Sequence, residues 1–536
     1  MQQGDIPITL TYWLLALIPL AFILVLLVWL RWTAAQAGAL GFFVAAVIAW
    51  LVFRSGFQVI SIATAKGIWD AIFILYVVWP ALLLYEVTQK AGAFEVFRIG
   101  AERYTRSRLI LVLAFGWVFA SFLQGIAGFG APIAIVAPLL VGIGVNPVMA
   151  VVIPLIGHAW ANLFGTLAVA WLALTRVVDL SNPSATAFTT AVLLWIPNLL
   201  AGFTIAWLYA RMKGLIRAIP AVLVISLVQG GGQLFLSRIN PILANFIPVT
   251  IALGAVLGLE RLPLYHQSEP LESPIFADKE AAEEAGTKEK QEMPLNLALS
   301  PYYILIVITL AGLVVPPVNE VLSRIEIGFS YPAVSTGFGV TRAAEESYGG
   351  FAVFAHPGTF LLLAAIAGYF IFKARGMYEA EAERDILKGM GDNAIPASIA
   401  ILGFLALSQI MDHAGMTATL ALGIAAVSPA IVYAFFANFI GVLGAFMTSS
   451  NTASNILFSP LQQQTALATA LRESSILAAQ GAGGAIGNSI SPANVVLGTG
   501  TAKIVGQEGE VLRYTLVWAL LAAALVGIAG VILSFT

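Results

Sequence analysis

The sequence predicts an all-α, polytopic membrane protein, and its composition and its long apolar runs are the observations that predict it. Of 536 residues, 60% are hydrophobic and 10% are charged, whereas an ordinary soluble domain carries about 25% charged residues. The mean hydropathy of +0.92 is too high for a chain with a water-soluble surface. Residues 11–30, 188–210, 241–259 and 515–535 are each about as long as a helix that crosses the hydrocarbon core.

Lys and Arg residues are concentrated in a few loops, and cytoplasmic loops of membrane proteins carry an excess of these residues. Residues 90–108, 211–217, 373–388 and 503–513 hold much of the basic charge. This asymmetry predicts external termini and a multi-pass protein of the cell (inner) membrane. The net charge of −2 gives no reason to expect a nucleic-acid partner, and the absence of cysteine excludes disulfides and thiol catalysis.

A hydrophilic, mixed-charge stretch at 261–298 divides the chain into two apolar halves, 1–260 and 299–536. Such a stretch cannot bury enough apolar surface to fold alone, so it predicts a cytoplasmic linker. In each half, a segment enters the membrane and returns to the same side, at 109–143 and at 428–465. The two halves have the same order of membrane segments but begin on opposite sides of the membrane. We therefore expect two inverted repeats with re-entrant hairpins, an arrangement that places a site near the midplane.

Clusters of Gly, Pro, hydroxyl and amide residues interrupt four predicted membrane segments, at 123–132, 157–162, 448–455 and 480–492. Glycines in membrane helices often serve close packing alone, but four clusters at equivalent places in two halves favour broken helices. A broken helix exposes free N–H groups at one end and free carbonyls at the other. The N–H ends attract a carboxylate, whereas carbonyls suit a cation.

These clusters predict a binding site for a small carboxylate at the midplane. The expected substrate-binding residues are Gln124, Gly125, Gly128, Gly130, His158, Asn162, Ser450, Asn451, Thr452, Asn488 and Ser491. His158 has a second interpretation, as a hydrogen-bonded structural residue. The predicted function is secondary transport of a small organic anion, with no cofactor and no catalysis. A passive channel, a ligand-binding sensor and a membrane enzyme are the alternatives, although the clusters hold amides where a catalytic dyad would need acids.

Several segments closely resemble the lactate permease family, above all residues 122–132, 448–455 and 487–492. The resemblance extends to the external loop at 330–348 and to residues 506–513. It implies proton-coupled uptake of lactate, glycolate or a related monocarboxylate, and an elevator-type carrier architecture. The sequence leaves open whether copies of the chain form a homo-oligomer.

The sequence departs from that family's pattern at four of the expected site residues. The family usually carries an acid at the positions of Gln124 and Asn451, a lysine at Asn488 and an amide at His158. An intramembrane acid is the simplest proton carrier, so this departure favours sodium coupling or no coupling over a proton carried by His158. Ser450, Asn451 and Thr452 also resemble the Ser-Asn-Thr signature of sodium-coupled di- and tricarboxylate carriers, and they are the expected sodium ligands. A sodium-coupled or uncoupled carrier or channel for a sulfonate or dicarboxylate is the alternative function.

Two acidic residues near the ends of predicted spans complete the expectations. A span near 71–88 places Asp70 and Glu86 at its two ends. We therefore expect both carboxylates at the membrane–water interface, where charge is tolerated.

Overall fold

The structure is a computed structural model that describes residues 5–96, 107–266, 272–276 and 293–535. Within these ranges, ten helices are long and apolar enough to cross a membrane, or up to twelve if each of two bent helix pairs counts as one span. The predicted all-α polytopic fold is therefore confirmed. Most of the predicted linker, residues 267–271 and 277–292, and the basic residues within 97–106 lie outside the described residues.

The first half consists of helices with two sharp breaks. In chain order they are α1 (Leu10–Leu24), extended by a π turn at Val25–Trp29, α2 (Ala34–Leu51), α3 (Phe57–Lys90), α4 (Arg108–Ile126), α5 (Ala131–Gly142), α6 (Pro147–Gly157), α7 (Gly165–Val177), α8 (Pro183–Ser237) and α9 (Pro241–Leu259). α8 is broken at Ala210 and Arg211, where the backbone leaves helical geometry. Single helical turns at Pro263–His266 and Leu295–Ala298 lie at the two ends of the predicted linker.

The second half adds two small antiparallel strand pairs, together called the ribbon, on one side of the helices. Its helices are α10 (Ser300–Val314), α11 (Pro316–Leu322), α12 (Pro357–Ala374), α13 (Ala382–His413), α14 (Met416–Val427), α15 (Ala430–Thr448), α16 (Asn451–Ala468), α17 (Glu473–Gly487), α18 (Pro492–Thr501) and α19 (Glu508–Phe535). Its strands are β1 (Glu326–Tyr331), β2 (Val334–Ser335), β3 (Thr341–Arg342) and β4 (Glu345–Ala352). β1 pairs antiparallel with β4, and β2 with β3.

This ribbon occupies the segment that the sequence suggested to be an external loop. It lies against the first half of α3, which the basic-residue asymmetry predicts to be its outer part. There Trp69 donates a hydrogen bond to the carbonyl of Gly349 at 3.0 Å, and Lys66 pairs with Glu345 at 2.7 Å. α3 begins at Phe57 rather than near residue 71. Consequently, Asp70 lies well inside the helix and is fully buried, and the expectation that it sits at the interface is wrong. Glu86 is also buried.

Helix–turn–helix units occupy both predicted hairpin segments. α4 and α5 meet at a turn near Gly128, and α15 and α16 meet at Ser449 and Ser450. α15 also crosses α17 at very short range, because a Cβ atom at Gly483 would overlap the carbonyl oxygen of Asn438. Small residues permit such close backbone contact between membrane helices. The two hairpins pack with α6–α8 and α17–α19, whereas α13 packs mainly against α2 and α3.

The orientation of the chain can be tested because the sequence contains no cysteine. The basic-residue asymmetry places the ribbon outside and the loop at Lys213 inside the cell. We expect Glu346→Cys to react with an impermeant maleimide from the external side, and Lys213→Cys to react only after the cytoplasmic face is exposed; both residues lie on the protein surface. The unmodified protein is the control for background labelling. Reaction of both variants from one side would contradict the predicted number of crossings.

Candidate substrate-binding cavity

The turn between α4 and α5 is built from residues in the left-handed backbone region. Gly128, Phe129 and Gly130 have φ values of +52°, +47° and +87°. Glycine adopts this region without strain, which explains two of the three residues. The turn ends α4 and starts α5 within a few residues, and the N–H groups of Ala131 and Ile133 at the start of α5 donate to the carbonyls of Gly128 and Gly130.

The turn between α15 and α16 is equally tight. Ser449 has a φ of +56° and ends α15, and Ser450 then caps α16 by accepting a hydrogen bond from the N–H of Ala453 at 3.2 Å. A serine at this position satisfies one of the N–H groups that a helix start leaves free. The N–H groups of Asn451 and Thr452 are also in this first turn. The serine- and asparagine-rich sequence therefore folds as a helix start with further donors available.

Two broken helices face these hairpin turns. α6 ends at Gly157, and α7 begins at Gly165 with Thr166, Leu167 and Ala168 in the left-handed region. α17 ends at Gly487, and α18 begins at Pro492 after a short turn. The bend between the two segments of the first broken helix is 53°.

The four breaks converge on one cavity of about 320 Å³. Its polar wall comes from the two hairpin turns and the two broken helices. Its opposite wall is mostly apolar and comes from α13, with the start of α2 beside it. The residues of that opposite wall are Thr33, Ala34, Ala35, Asn393, Pro396, Ala397, Ala400, Ile401 and Phe404.

A chain of three amide side chains joins the two broken helices at the cavity. Asn488 donates through Nδ2 to Oδ1 of Asn162 at 2.7 Å. Asn494 donates through its own Nδ2 to Oδ1 and to the backbone carbonyl of Asn488, at 2.8 and 3.0 Å. Buried amides are costly without partners, so this chain fixes the orientation of each side chain. The α6–α7 break and the α17–α18 break are thereby held in one arrangement.

Each hairpin turn is fixed to a neighbouring broken helix. The hydroxyl of Thr166 in α7 donates to the carbonyl of Gln124 at 3.3 Å. Asn451 donates to the carbonyl of Gly481 in α17 at 3.4 Å, and Asn455 donates to the carbonyl of Ala170 in α7 at 3.0 Å. The Oδ1 atom of Asn451 is buried and has no hydrogen-bond partner among the described residues.

The described residues that line the cavity include no Asp, Glu, Lys, Arg or His. The positive potential available there comes from helix starts: α16 and α18 contribute residues of their first turns to the lining, and α5 contributes Gly130, the residue directly before it. Helix starts carry partial positive charge and free N–H groups, and they bind anions without a cationic side chain. The arrangement suits one small anion, held by N–H, amide and hydroxyl groups.

Comparison with known proteins shows the family of this chain. The profile of the family described as L-lactate permease matches residues 12–536. The chain belongs to the L-lactate permease family. The glycolate permease GlcA of Escherichia coli (strain K12) is 29% identical over 96% of this chain and 94% of that protein. An L-lactate permease of Halalkalibacterium halodurans is 28% identical over 94% of this chain and 93% of that protein.

The comparison with solved structures is weaker. The Alcanivorax borkumensis YdaH transporter, described as having an unusual topology, covers 85% of each chain with a TM-score of 0.44 and 14% identity. Membership of the L-lactate permease family and the apolar helices together identify a multi-pass protein of the cell membrane that is a transporter and not an enzyme.

In this member of the family, the cavity gathers part of the residue set expected from the sequence. Those that line it are Gln124, Gly130, Asn162, Ser450, Asn451, Thr452 and Asn488. Those that do not line it are Gly125, Gly128, His158 and Ser491. Gly125, Gly128 and His158 each have a packing environment that explains their position, whereas Ser491 does not.

The glycines outside the lining serve close contacts. A Cβ atom at Gly125 would lie 2.9 Å from Oδ1 of Asn245, and one at Gly128 would overlap the hydroxyl of Thr166. His158 ends α6 and is fully buried, and its Nδ1 lies 2.5 Å from the carbonyl of Pro154. Since a carbonyl can only accept, Nδ1 carries the proton, which matches the structural interpretation of this histidine. Ser491 is buried, and its hydroxyl has no partner among the described residues.

Three groups of lining residues were missed from the sequence. Thr166 and Asn494 are polar residues just beyond two of the recognised clusters, four residues after Asn162 and two after Pro492. Extending each cluster by one helical turn would have found them. Thr448 and Ser449 lay within a recognised cluster but were not selected. The apolar residues of α13 gave no local signal, because they look like any other membrane helix face.

Proposed function

We propose that this protein is a secondary transporter that moves a small monocarboxylate, such as lactate or glycolate, through the cavity between the hairpin turns and α13. The observation that carries the proposal is the convergence of the starts of α16 and α18 and the turn before α5 on a cavity whose described lining residues include no ionisable side chain. The names of the relatives, glycolate permease and L-lactate permease, support the same substrate class.

The size and chemistry of the cavity fit a short hydroxy acid. A volume of about 320 Å³ is at the lower end of the range for ligand cavities. The N–H groups at the starts of α16 and α18 would hold the carboxylate. The hydroxyls of Ser450 and Thr452 and the amides of Asn162 and Asn488 supply donors and acceptors for a second polar group. Because no cationic side chain of the cavity lining pairs with the substrate, the substrate can also dissociate easily, which a transporter requires.

Alternating access would come from relative movement of the two walls. The hairpins and broken helices form the polar wall, and α13 presents Ala397, Ala400 and Phe404 on the other side. An apolar surface with small side chains offers few specific bonds, so the polar wall could slide along it. We therefore propose an elevator-type movement of α4–α8 and α15–α19, as two inverted repeats, against α2, α3 and α13.

Coupling within the cavity would not use a titrating side chain, because the described lining residues hold none. The oxygen proposed for a sodium ion is Oδ1 of Asn451, which is buried without a partner among the described residues and faces Gly484 of α17. Ser450 and Thr452 line the same cavity and would supply their hydroxyl oxygens. Sodium binds to such neutral oxygens without a formal acid. Sodium coupling, or transport without coupling, therefore remains the preferred proposal over a proton carried by His158.

The test is uptake into proteoliposomes of labelled glycolate, L-lactate, pyruvate, succinate and methanesulfonate. Each is measured under an imposed sodium gradient, an imposed pH gradient or neither, with protein-free liposomes as the control for leakage. We expect saturable uptake of the short monocarboxylates and accumulation only with sodium. Flux that never exceeds equilibrium under either gradient would show an uncoupled carrier. Transport of succinate or methanesulfonate alone, or no transport at all, would contradict the proposal.

His158→Asn is the matched variant for the coupling part. Because the ring lies outside the cavity lining, we expect this variant to keep the wild-type response to each gradient. If a pH gradient drives accumulation in the wild type and His158→Asn loses it, the sodium preference is wrong.

A further inference from the structure

Asp70 is a buried carboxylate that the substrate cavity does not use. It lies on α3 and is fully buried. Its Oδ2 atom accepts hydrogen bonds from the hydroxyl of Tyr348 in β4 at 2.7 Å and from Nε2 of Gln409 in α13 at 2.9 Å. Its Oδ1 atom is buried without a hydrogen-bond partner among the described residues. An unpartnered carboxylate oxygen in a buried site is unfavourable when ionised, and a bound proton removes that charge.

Charged and titratable groups face this carboxylate from every element around it. Those that face Asp70 itself are Lys66 of α3, Arg176 of α7, Tyr331 of β1 and Tyr348 of β4. Glu345 of β4 and His413 of α13 face Lys66, and Glu326 of β1 faces Arg176. Lys66 is already paired with Glu345 at 2.7 Å. Asp70 itself makes no direct ion pair in the part of the chain that the structure describes, so Arg176 and Lys66 attract it through space.

Arg176 connects α7 to α3 and to β4, the elements that are proposed to stay fixed. Its guanidinium stacks on the ring of Phe73 in α3 at 3.4 Å and donates to the carbonyl of Gly350 in β4 at 3.1 Å. Val169, seven residues earlier on α7, lines the substrate cavity. Seven residues are two helical turns, so Arg176 lies about 10 Å from Val169 along nearly the same face of α7. The contact between α7 and α3 thus extends from the substrate cavity to Asp70 and the charged groups around it.

We infer that Asp70 is a proton-binding site that controls how firmly the outer end of α7 is held against α3 and the ribbon. With Asp70 ionised, its charge attracts Arg176 and holds α7 in place. A proton from the external solution binds at Oδ1 and neutralises the carboxylate, and the same proton returns to that solution when the pH rises. The inference rests on the proposed transport function, in which α7 moves relative to α3. External acid therefore speeds the movement without supplying its driving force.

The kinetic test measures the exchange of labelled L-lactate in proteoliposomes. External pH is varied from acid to neutral, internal pH is clamped, and protein-free liposomes correct for passive entry. We expect the wild-type exchange rate to rise by about tenfold as external pH falls, which is on the order of one charge–charge interaction across a partly buried gap. Asp70→Asn should exchange L-lactate at every pH at the rate that the wild type reaches in acid. The matched control is Asp179→Asn, an exposed carboxylate three residues beyond Arg176, which should keep the wild-type profile.

Tyr348→Phe provides a second variant that retains the carboxylate. It removes a donor to Oδ2 that stabilises the ionised form, so the neutral form takes over at a higher pH. The midpoint of the rate profile should therefore move to higher pH. An unchanged midpoint in Tyr348→Phe, or a wild-type profile in Asp70→Asn, would overturn the inference. Either result, with exchange intact, would leave the proposed transport function standing.

A measurement without substrate separates the two proposals further. Spin labels at Phe57→Cys on α3 and Asp179→Cys beyond α7, both exposed positions, report the distance between the outer ends of these helices. We expect a second, longer distance in acid with the native Asp70, and the same longer distance at both pH values with Asp70→Asn. If the distance distribution does not change with pH in the protein that retains Asp70, the proton-binding site is refuted, even if L-lactate is not a substrate.

Discussion

Asn488→Asp should abolish binding of the carboxylate substrate while leaving the fold intact. Asn488 lines the cavity and is joined to Asn162 and Asn494. The replacement keeps the size and shape of the side chain but places a negative charge next to the bound anion. Two like charges about 4 Å apart at an effective dielectric constant of about 20 repel by about 4 kcal/mol. The dissociation constant should therefore rise by about a thousandfold.

The affinity is measured by titrating the purified protein with glycolate and L-lactate in calorimetry. Asn146→Asp is the matched control, because Asn146 is exposed and caps α6 by accepting a hydrogen bond from Val148 at 3.0 Å. Aspartate caps a helix as well as asparagine does, so this variant should bind normally. Wild-type affinity in Asn488→Asp would place the anion elsewhere. Loss of the thermal unfolding transition would show a folding defect instead.

The sequence allowed the polar wall to be anticipated because each break in a membrane helix has a local cause. Gly128 and Gly130 occupy left-handed backbone positions, and Ser450 caps the next helix. These are residue-level preferences that a single sequence displays. The helical membrane fold was predicted for the same reason, since apolar runs of spanning length are a property of the chain alone.

The opposite wall and the Asp70 cluster could not be anticipated in this way. Ala400 and Phe404 become part of the cavity through the packing of α13 against the hairpin turns, which no local pattern encodes. Asp70 looked like the end of a span because α3 was taken to begin near residue 71. The helix begins at Phe57, and the ribbon that covers its outer part was expected to be a loop. Tertiary contacts place the α13 residues at the cavity and bury Asp70.

Gly128→Ala should disconnect the first hairpin turn from α7 and stop transport. Gly128 has a φ of +52°, and an added Cβ atom would overlap the hydroxyl of Thr166. That hydroxyl donates to the carbonyl of Gln124, so the clash displaces the same contact that positions the turn at the cavity. We expect exchange of labelled L-lactate to fall below detection and the unfolding temperature to decrease.

The backbone strain and the clash can be separated by two further variants. Gly144→Ala has the same kind of left-handed backbone, with a φ of +93°, but its nearest neighbour is the ring of Phe276 at 3.5 Å. It should cost the roughly 1–2 kcal/mol of a left-handed alanine and leave transport unchanged. Thr166→Ala removes the hydroxyl that donates to Gln124 without adding backbone strain, so this variant alone should lower exchange. Combined with Gly128→Ala it should add little further loss, since neighbouring changes that remove one shared contact are not additive. Normal exchange in Thr166→Ala, together with lost transport in Gly144→Ala, would show that backbone strain alone explains the effect, and that the contact between Gly128 and Thr166 does not position the turn.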